Sequence, residues 1–128
     1  TVDEKNISDR FMKYERENVI PILIDENLTK GNCFDILLGA GIKLPEIYNL
    51  GFPNANCIGC VKSQSATYWN LVREKFPDVF NDRAEQSRRI GAKLVKLKGK
   101  RIFLDELKPN DKGGKIKSWE CGIFCDTE

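Results

Sequence analysis

The sequence predicts an α/β chain. A strand-bearing α/β remnant is expected over residues 1–50, followed over residues 51–128 by a helical and β-hairpin module that two cysteine pairs bracket. Three observations predict this. Residues 19–24 are an almost wholly apolar, β-branched run of the kind that a sheet covers on both faces. Apolar residues recur at three-to-four spacing on either side of that run, as in helices with one buried stripe. Residues 94–104 alternate apolar and cationic side chains about Gly99, the pattern of two hairpin strands. At 128 residues with 41% hydrophobic content the chain suits one domain or part of a larger one. A folded chain of that size removes roughly two-thirds of its unfolded surface from water.

The elements follow in order. Residues 3–18 are charged, with Ile7, Phe11 and Tyr14 on one helical stripe. The strand predicted over residues 19–24 contains Pro21, which suits an edge or a bulge. Thr29 is placed to cap a helix whose buried side would be Phe34, Ile36, Leu37 and Leu38, and which Gly39 and Gly41 end. Cys33 falls in that helix and reads as a small buried apolar residue. Leu44 and Pro45 open a short helical turn through Tyr48, and residues 51–56 form a Gly/Pro/Asn loop. Residues 68–76 have helical spacing through Trp69, Val72 and Phe76, with Tyr68 and Trp69 reading as core. Pro77 then restarts a helix as an N1 proline does; Val79, Phe80, Ala84 and Ile90 face its core and Gly91 stops it. Two strands meet at Lys98-Gly99-Lys100, and residues 110–117 form a polar loop leading to the tail. A single strand before residue 50 makes no sheet. Either it pairs with the hairpin or its partners lie in sequence outside this chain.

Composition excludes several chemistries. The chain has no histidine, which removes Ser–His–Asp and Cys–His nucleophilic machinery, imidazole bases and histidine-ligated metals. No apolar run approaches the roughly 18 residues that cross a bilayer, and no signal-peptide pattern opens the chain. The expectation is a soluble, cytoplasmic protein without a membrane partner. Charge is uneven: residues 83–117 carry twelve Lys/Arg against four acids, although the whole chain is only +2. Such a segment is either a solvated basic face or a contact for nucleic acid or a partner protein.

Sulfur is left to carry any tight metal chemistry. Five cysteines with no secretory signal argue against a pure disulfide scaffold. Cys57-x-x-Cys60 places two thiols on one tight loop, with Gly59 letting the backbone fold round an ion. Cys121-x-x-x-Cys125 supplies a second pair far away in sequence, the arrangement of a four-thiolate site. Zinc and a 4Fe–4S cluster both fit such a donor set. The alternatives are two disulfides, thiols without a ligand, or a redox CxxC. The last leaves the tail pair unexplained, and a Gly/Pro/Asn loop rather than a strand precedes Cys57.

The stretch Asn54-Ala55-Asn56-Cys57-Ile58-Gly59-Cys60-Val61-Lys62, with Tyr68-Trp69-Asn70, Phe76-Pro77-Asp78-Val79-Phe80, Phe103-Leu104-Asp105-Glu106-Leu107 and Glu120-Cys121-Gly122, resembles the phosphoadenosine phosphosulfate (PAPS) reductase-like family, in particular its phage and bacterial members. The resemblance runs from about Asp3 to Cys125. It implies the C-terminal part of a Rossmann-like PP-loop fold (the adenine-nucleotide α-hydrolase superfamily). The family's phosphate-binding Ser-Gly-Gly-type loop is absent here, so the expectation is the C-terminal half of a longer protein or a derivative that has lost the phosphate cradle. An adenine nucleotide or sulfonucleotide would then be held through the missing half. Cys121 stands where sulfonucleotide reductases carry their nucleophile, but the family's histidine position is not kept, and Cys125 follows as a competing reason to read Cys121 as a ligand. Lys62, Arg88 and Arg89 are the candidate phosphate contacts.

Overall fold

The computed structural model describes residues 2–14 and 20–113. It is a mixed structure of five α-helices and one two-stranded antiparallel sheet, α/β in a loose sense, among the described residues. The chain divides into two compact units, Thr1–Leu44 and Pro45–Glu128.

The first unit is helical. Helix α1 spans Val2–Tyr14, where the three-to-four spacing predicts it. The strand expected over residues 19–24 is not formed by the residues described there: Ile22–Asp25 make a single helical turn, α2. The reason is Pro21. Its φ of −81° starts a turn, and its carbonyl accepts from the N–H groups of Ile24 and Asp25 at 2.9 and 3.0 Å, so those donors are spent locally. The apolar run is also uncovered, with Ile20 75% exposed and Ile22 and Leu23 more than half exposed.

Helix α3 spans Lys30–Gly39, and Thr29 caps it as predicted. Thr29 Oγ1 accepts from Asn32 N–H at 3.3 Å while Asn32 Oδ1 accepts from Thr29 N–H at 2.9 Å, a reciprocal capping box. At the other end Gly41 takes φ +74°, and Ile42 N–H reaches back to Leu37 C=O at 2.9 Å to close the helix. The expected buried stripe is absent. Ile36 and Leu38 are more than half exposed, Phe34, Leu37 and Cys33 are half-buried, and no residue of α3 is fully buried.

The second unit holds every fully buried residue among those described. A 3₁₀ turn at Glu46–Tyr48 leads into the loop before Cys57. Helix α4 spans Ala66–Lys75 and α5 spans Pro77–Ile90. Pro77 opens α5 at a position whose N–H would have no helical partner, and Gly91 at φ +73° closes it, both as predicted. Trp69, Val72 and Phe80 pack between the two helices with Phe52, Leu104 and Leu107. The rings meet edge-on, Trp69 with Phe80 at 6.5 Å and Phe52 with Tyr68 at 5.9 Å. Ile90, expected in this core, is instead 73% exposed in the last turn of α5.

Strands β1 (Val95–Leu97) and β2 (Lys100–Ile102) form the predicted hairpin, with Val95 opposite Ile102, Lys96 opposite Arg101 and Leu97 opposite Lys100. Val95 is fully buried and anchors the hairpin to the core. The other edge of β1 touches the loop before α4, where Lys96 N–H donates to Gln64 C=O at 2.9 Å.

Candidate metal-binding loop

Cys57 and Cys60 sit on two consecutive tight turns just ahead of α4. Gly59 takes φ +70°, which an L side chain rarely adopts, and a Cβ there would lie 2.6 Å from Val79 Cγ1 of α5. Ser63 N–H closes the next turn onto Cys60 C=O at 3.0 Å. The loop is therefore folded tightly round Gly59 and seated directly on α5.

Three side chains fix it. The Tyr68 hydroxyl accepts from Cys60 N–H at 3.2 Å and donates to Cys57 C=O at 3.3 Å, bridging the ends of the CxxC turn. Arg83 Nε donates to Gly59 C=O at 3.2 Å, and its Nη1 is held by Gln86 Oε1 at 2.6 Å. Trp69 Nε1 donates to Ser63 C=O at 2.7 Å from a fully buried ring. Burial pushes the Tyr68 phenol above its ordinary value. Hydrogen bonds with the backbone at Cys60 and Gly59 oppose that rise, and the two neighbouring thiols add to it. Helical spacing places Tyr68 in the core but assigns its hydroxyl no task. Its signal is the choice of Tyr over Phe at a buried helical position, which demands a polar partner.

Cys57 is exposed and Cys60 half-buried, and both are free thiols. The pinned turn thus carries one exposed and one half-buried thiol while side chains of α4 and α5 hold its backbone. Among the described residues no third Cys, Asp or Glu joins them in a group able to hold a metal. Cys121 and Cys125 lie outside the described residues.

The approach of the tail is nevertheless defined up to Gly113. Thr67 Oγ1 accepts from Gly113 N–H at 3.1 Å, and Asn70 Nδ2 donates to Lys108 and Asp111 C=O at 3.0 and 2.8 Å. Arg73 Nη2 donates to Leu107 C=O at 2.6 Å while its guanidinium lies 4.2 Å over the Phe80 ring. A Cβ on Gly113 would meet the Ala66 backbone at 2.7 Å, so the chain passes hard against the start of α4. That point is six residues beyond Cys60 along the sequence.

The candidate phosphate contacts are dispersed. Lys62 follows Cys60 in the second turn and is half-buried. Arg88 is engaged: it pairs with Asp105 at 2.7 Å and Glu106 at 3.1 Å and lies 4.0 Å over the Phe103 ring. The bond to Arg88 holds the Asp105 carboxyl below its ordinary range. Arg89 is exposed on the last turn of α5. No helix among the described residues is long and apolar enough to cross a membrane. Comparisons with models of known protein families, with curated proteins and with solved structures find no match.

Proposed function

We propose that this chain is the cysteine-bearing C-terminal half of a PAPS reductase-like protein, in which Cys57, Cys60, Cys121 and Cys125 hold zinc or, in the alternative, a 4Fe–4S cluster. The observation that carries the reading is the CxxC turn itself. Its backbone is tied at Cys57, Gly59, Cys60 and Ser63 by side chains of α4 and α5, and its two thiols are free, Cys57 exposed and Cys60 half-buried. A chain that fixes a loop this thoroughly while leaving its two thiols free has the makings of half a tetrahedral thiolate site.

Reach supports the other half. From Gly113, held against the start of α4, the eight-residue step to Cys121 spans at most about 28 Å. The six residues from Ala66 back to Cys60 span at most about 22 Å, so the tail is long enough for its cysteines to reach the loop. A bound ion would staple the tail to α4 and α5, a structural role, and Cys121 would serve as a ligand rather than a nucleophile because a metal-shared thiolate is a weaker nucleophile. Nucleotide chemistry in this reading belongs to the longer parent, through an adenine nucleotide or sulfonucleotide that this half helps to cover.

Elemental analysis and a visible spectrum of anaerobically purified protein test the reading. One equivalent of zinc in a colourless sample, or iron and sulfide in a brown one, is expected, with loss of the metal in both C57S and C121S. Protein that folds with no metal in either preparation, or that keeps its metal in C121S, overturns the four-thiolate site. The nucleotide part fails separately if a longer chain carrying the upstream coding sequence lacks a phosphate-binding loop and binds no adenylate.

A further inference from the structure

The β1–β2 hairpin carries charges that its own fold does not favour. Between Glu85 and Asp105 the sequence holds seven Lys/Arg and no acid, and five of these cations fall on residues 93–101. Lys96 and Arg101 stand directly opposite each other across the two strands and both are exposed. Like charges in facing positions destabilise a strand pair. Lys98 sits at the tip with φ +48°, beside Gly99 at φ +83°, in a two-residue turn whose first position favours Asn, Asp or Gly. Two local rules are thus broken by the same kind of residue at the same end of one hairpin.

Protection of a sheet edge does not account for this. Lysines on an edge strand block pairing with other chains, which would explain Lys100 and Arg101 on β2. It does not explain Lys96, whose strand is flanked on both sides by β2 and by residues 64–65, nor Lys98 at the turn. Nor is the whole basic segment equivalent. Arg83 is engaged by Gly59 and Gln86 and Arg88 by two carboxylates, so two of the three cationic side chains of α5 are committed to holding the fold. Sequence that departs from local preference, as at Lys96 and Lys98, marks a functional surface; Arg101 has a modest structural return, its Nη1 donating to Lys93 C=O at 3.3 Å in an exposed position.

We propose that the hairpin docks on the phosphate backbone of duplex DNA, with Lys96, Lys98 and Arg101 as the phosphate contacts. The charge repulsion across the strands is relieved when phosphates lie alongside, and a duplex offers one negative charge per roughly 1.7 Å of axis, dense enough for a ribbon this short. A two-stranded ribbon with a two-residue turn is narrow enough for the B-form major groove, whereas the deep, narrow groove of A-form RNA does not admit it. Lysine tips act as point charges, so binding is independent of base sequence. The hairpin charges carry this surface whether or not the cysteine loop binds metal.

Fluorescence anisotropy of the 128-residue chain on labelled 20-base-pair DNA duplexes of unrelated sequence, between 50 and 200 mM salt, tests the proposal. Wild type is expected to bind the duplexes alike. K96T/K98N/R101T, of which K96T and K98N favour the strand and the turn and R101T gives up one exposed bond to Lys93 C=O, should weaken binding at least about tenfold and lower the log–log salt slope by about 2.7. K5Q/K43Q/K108Q, which removes the same charge from exposed positions outside the hairpin, should keep most of the affinity. If the triple variant loses its far-UV dichroism, K98N alone must still weaken binding about threefold. The proposal is overturned by no wild-type binding at 50 mM salt, by equal loss in the charge-matched control, by tighter binding to an RNA duplex, or by polyglutamate competing as well as DNA.

Discussion

One hydroxyl oxygen decides how rigid the cysteine loop is. Tyr68 Oη is both acceptor and donor to the backbone of the CxxC turn, so Y68F leaves a Cys60 N–H and a Cys57 carbonyl without that partner while keeping the ring in the core. The expected loss is about 1–2 kcal/mol of unfolding free energy near neutral pH. Its pH dependence has a definite sign. The buried phenol holds its proton more tightly than in the unfolded chain, so its contribution is complete below the ordinary phenol range near about pH 10 and declines as pH rises through and beyond it. Urea unfolding at pH 8 and above pH 10.5 should therefore show the gap between wild type and Y68F narrowing in alkali; a gap that widens would mean that the phenol is not shielded. The position of the two cysteines on a loop was legible from the Gly/Pro/Asn residues before them, because such residues act on their own backbone. The task of Tyr68 was not, because a tyrosine at helical spacing looks like core until the partner of its hydroxyl is known.

At the scale of elements, local punctuation was readable and burial was not. Pro77, Gly91 and Gly99 set helix starts, stops and turns through their own φ preferences, and α5 and the hairpin lie where those residues place them. The run over residues 19–24 has a strand's composition, but only a covering layer makes such a run a strand, and Pro21 turns it into a helical turn instead. The same holds for the apolar residues of α3, whose capping was readable from Thr29 and whose exposure was not. The cysteine loop and α5 meet through a contact that sequence spacing hides, Gly59 against Val79. G59A combines a left-handed backbone with a close approach, and is expected to cost about 2–4 kcal/mol in chemical denaturation. V79A opens space for the new methyl, so G59A/V79A should recover the overlap part and leave about 1–2 kcal/mol for the backbone. Full recovery would show that φ at Gly59 carries no cost; none would show that the loop does not press on α5.

Across the whole molecule, burial is distributed unequally between the two units. Every fully buried residue among those described, from Phe52 to Leu107, belongs to Pro45–Glu128, while the described apolar side chains of Thr1–Leu44 are half-buried or exposed. Burial of large apolar side chains is the main term that offsets chain entropy, at about 1.5–3 kcal/mol for each. A unit with such a core can fold alone, and a unit without one has little to hold its helices beyond caps and local hydrogen bonds. Residues 45–128 expressed by themselves should therefore unfold cooperatively, with amide resonances of α4 and α5 matching those of the 128-residue chain and a Tm within about 5 °C, which is about 1 kcal/mol at this size. Residues 1–44 alone should show no cooperative transition. The decisive region is the Trp69–Phe80–Val72 packing: if it is lost in the 45–128 chain, then residues outside the second unit complete its core, and the cysteine loop seated on α5 would depend on them as well.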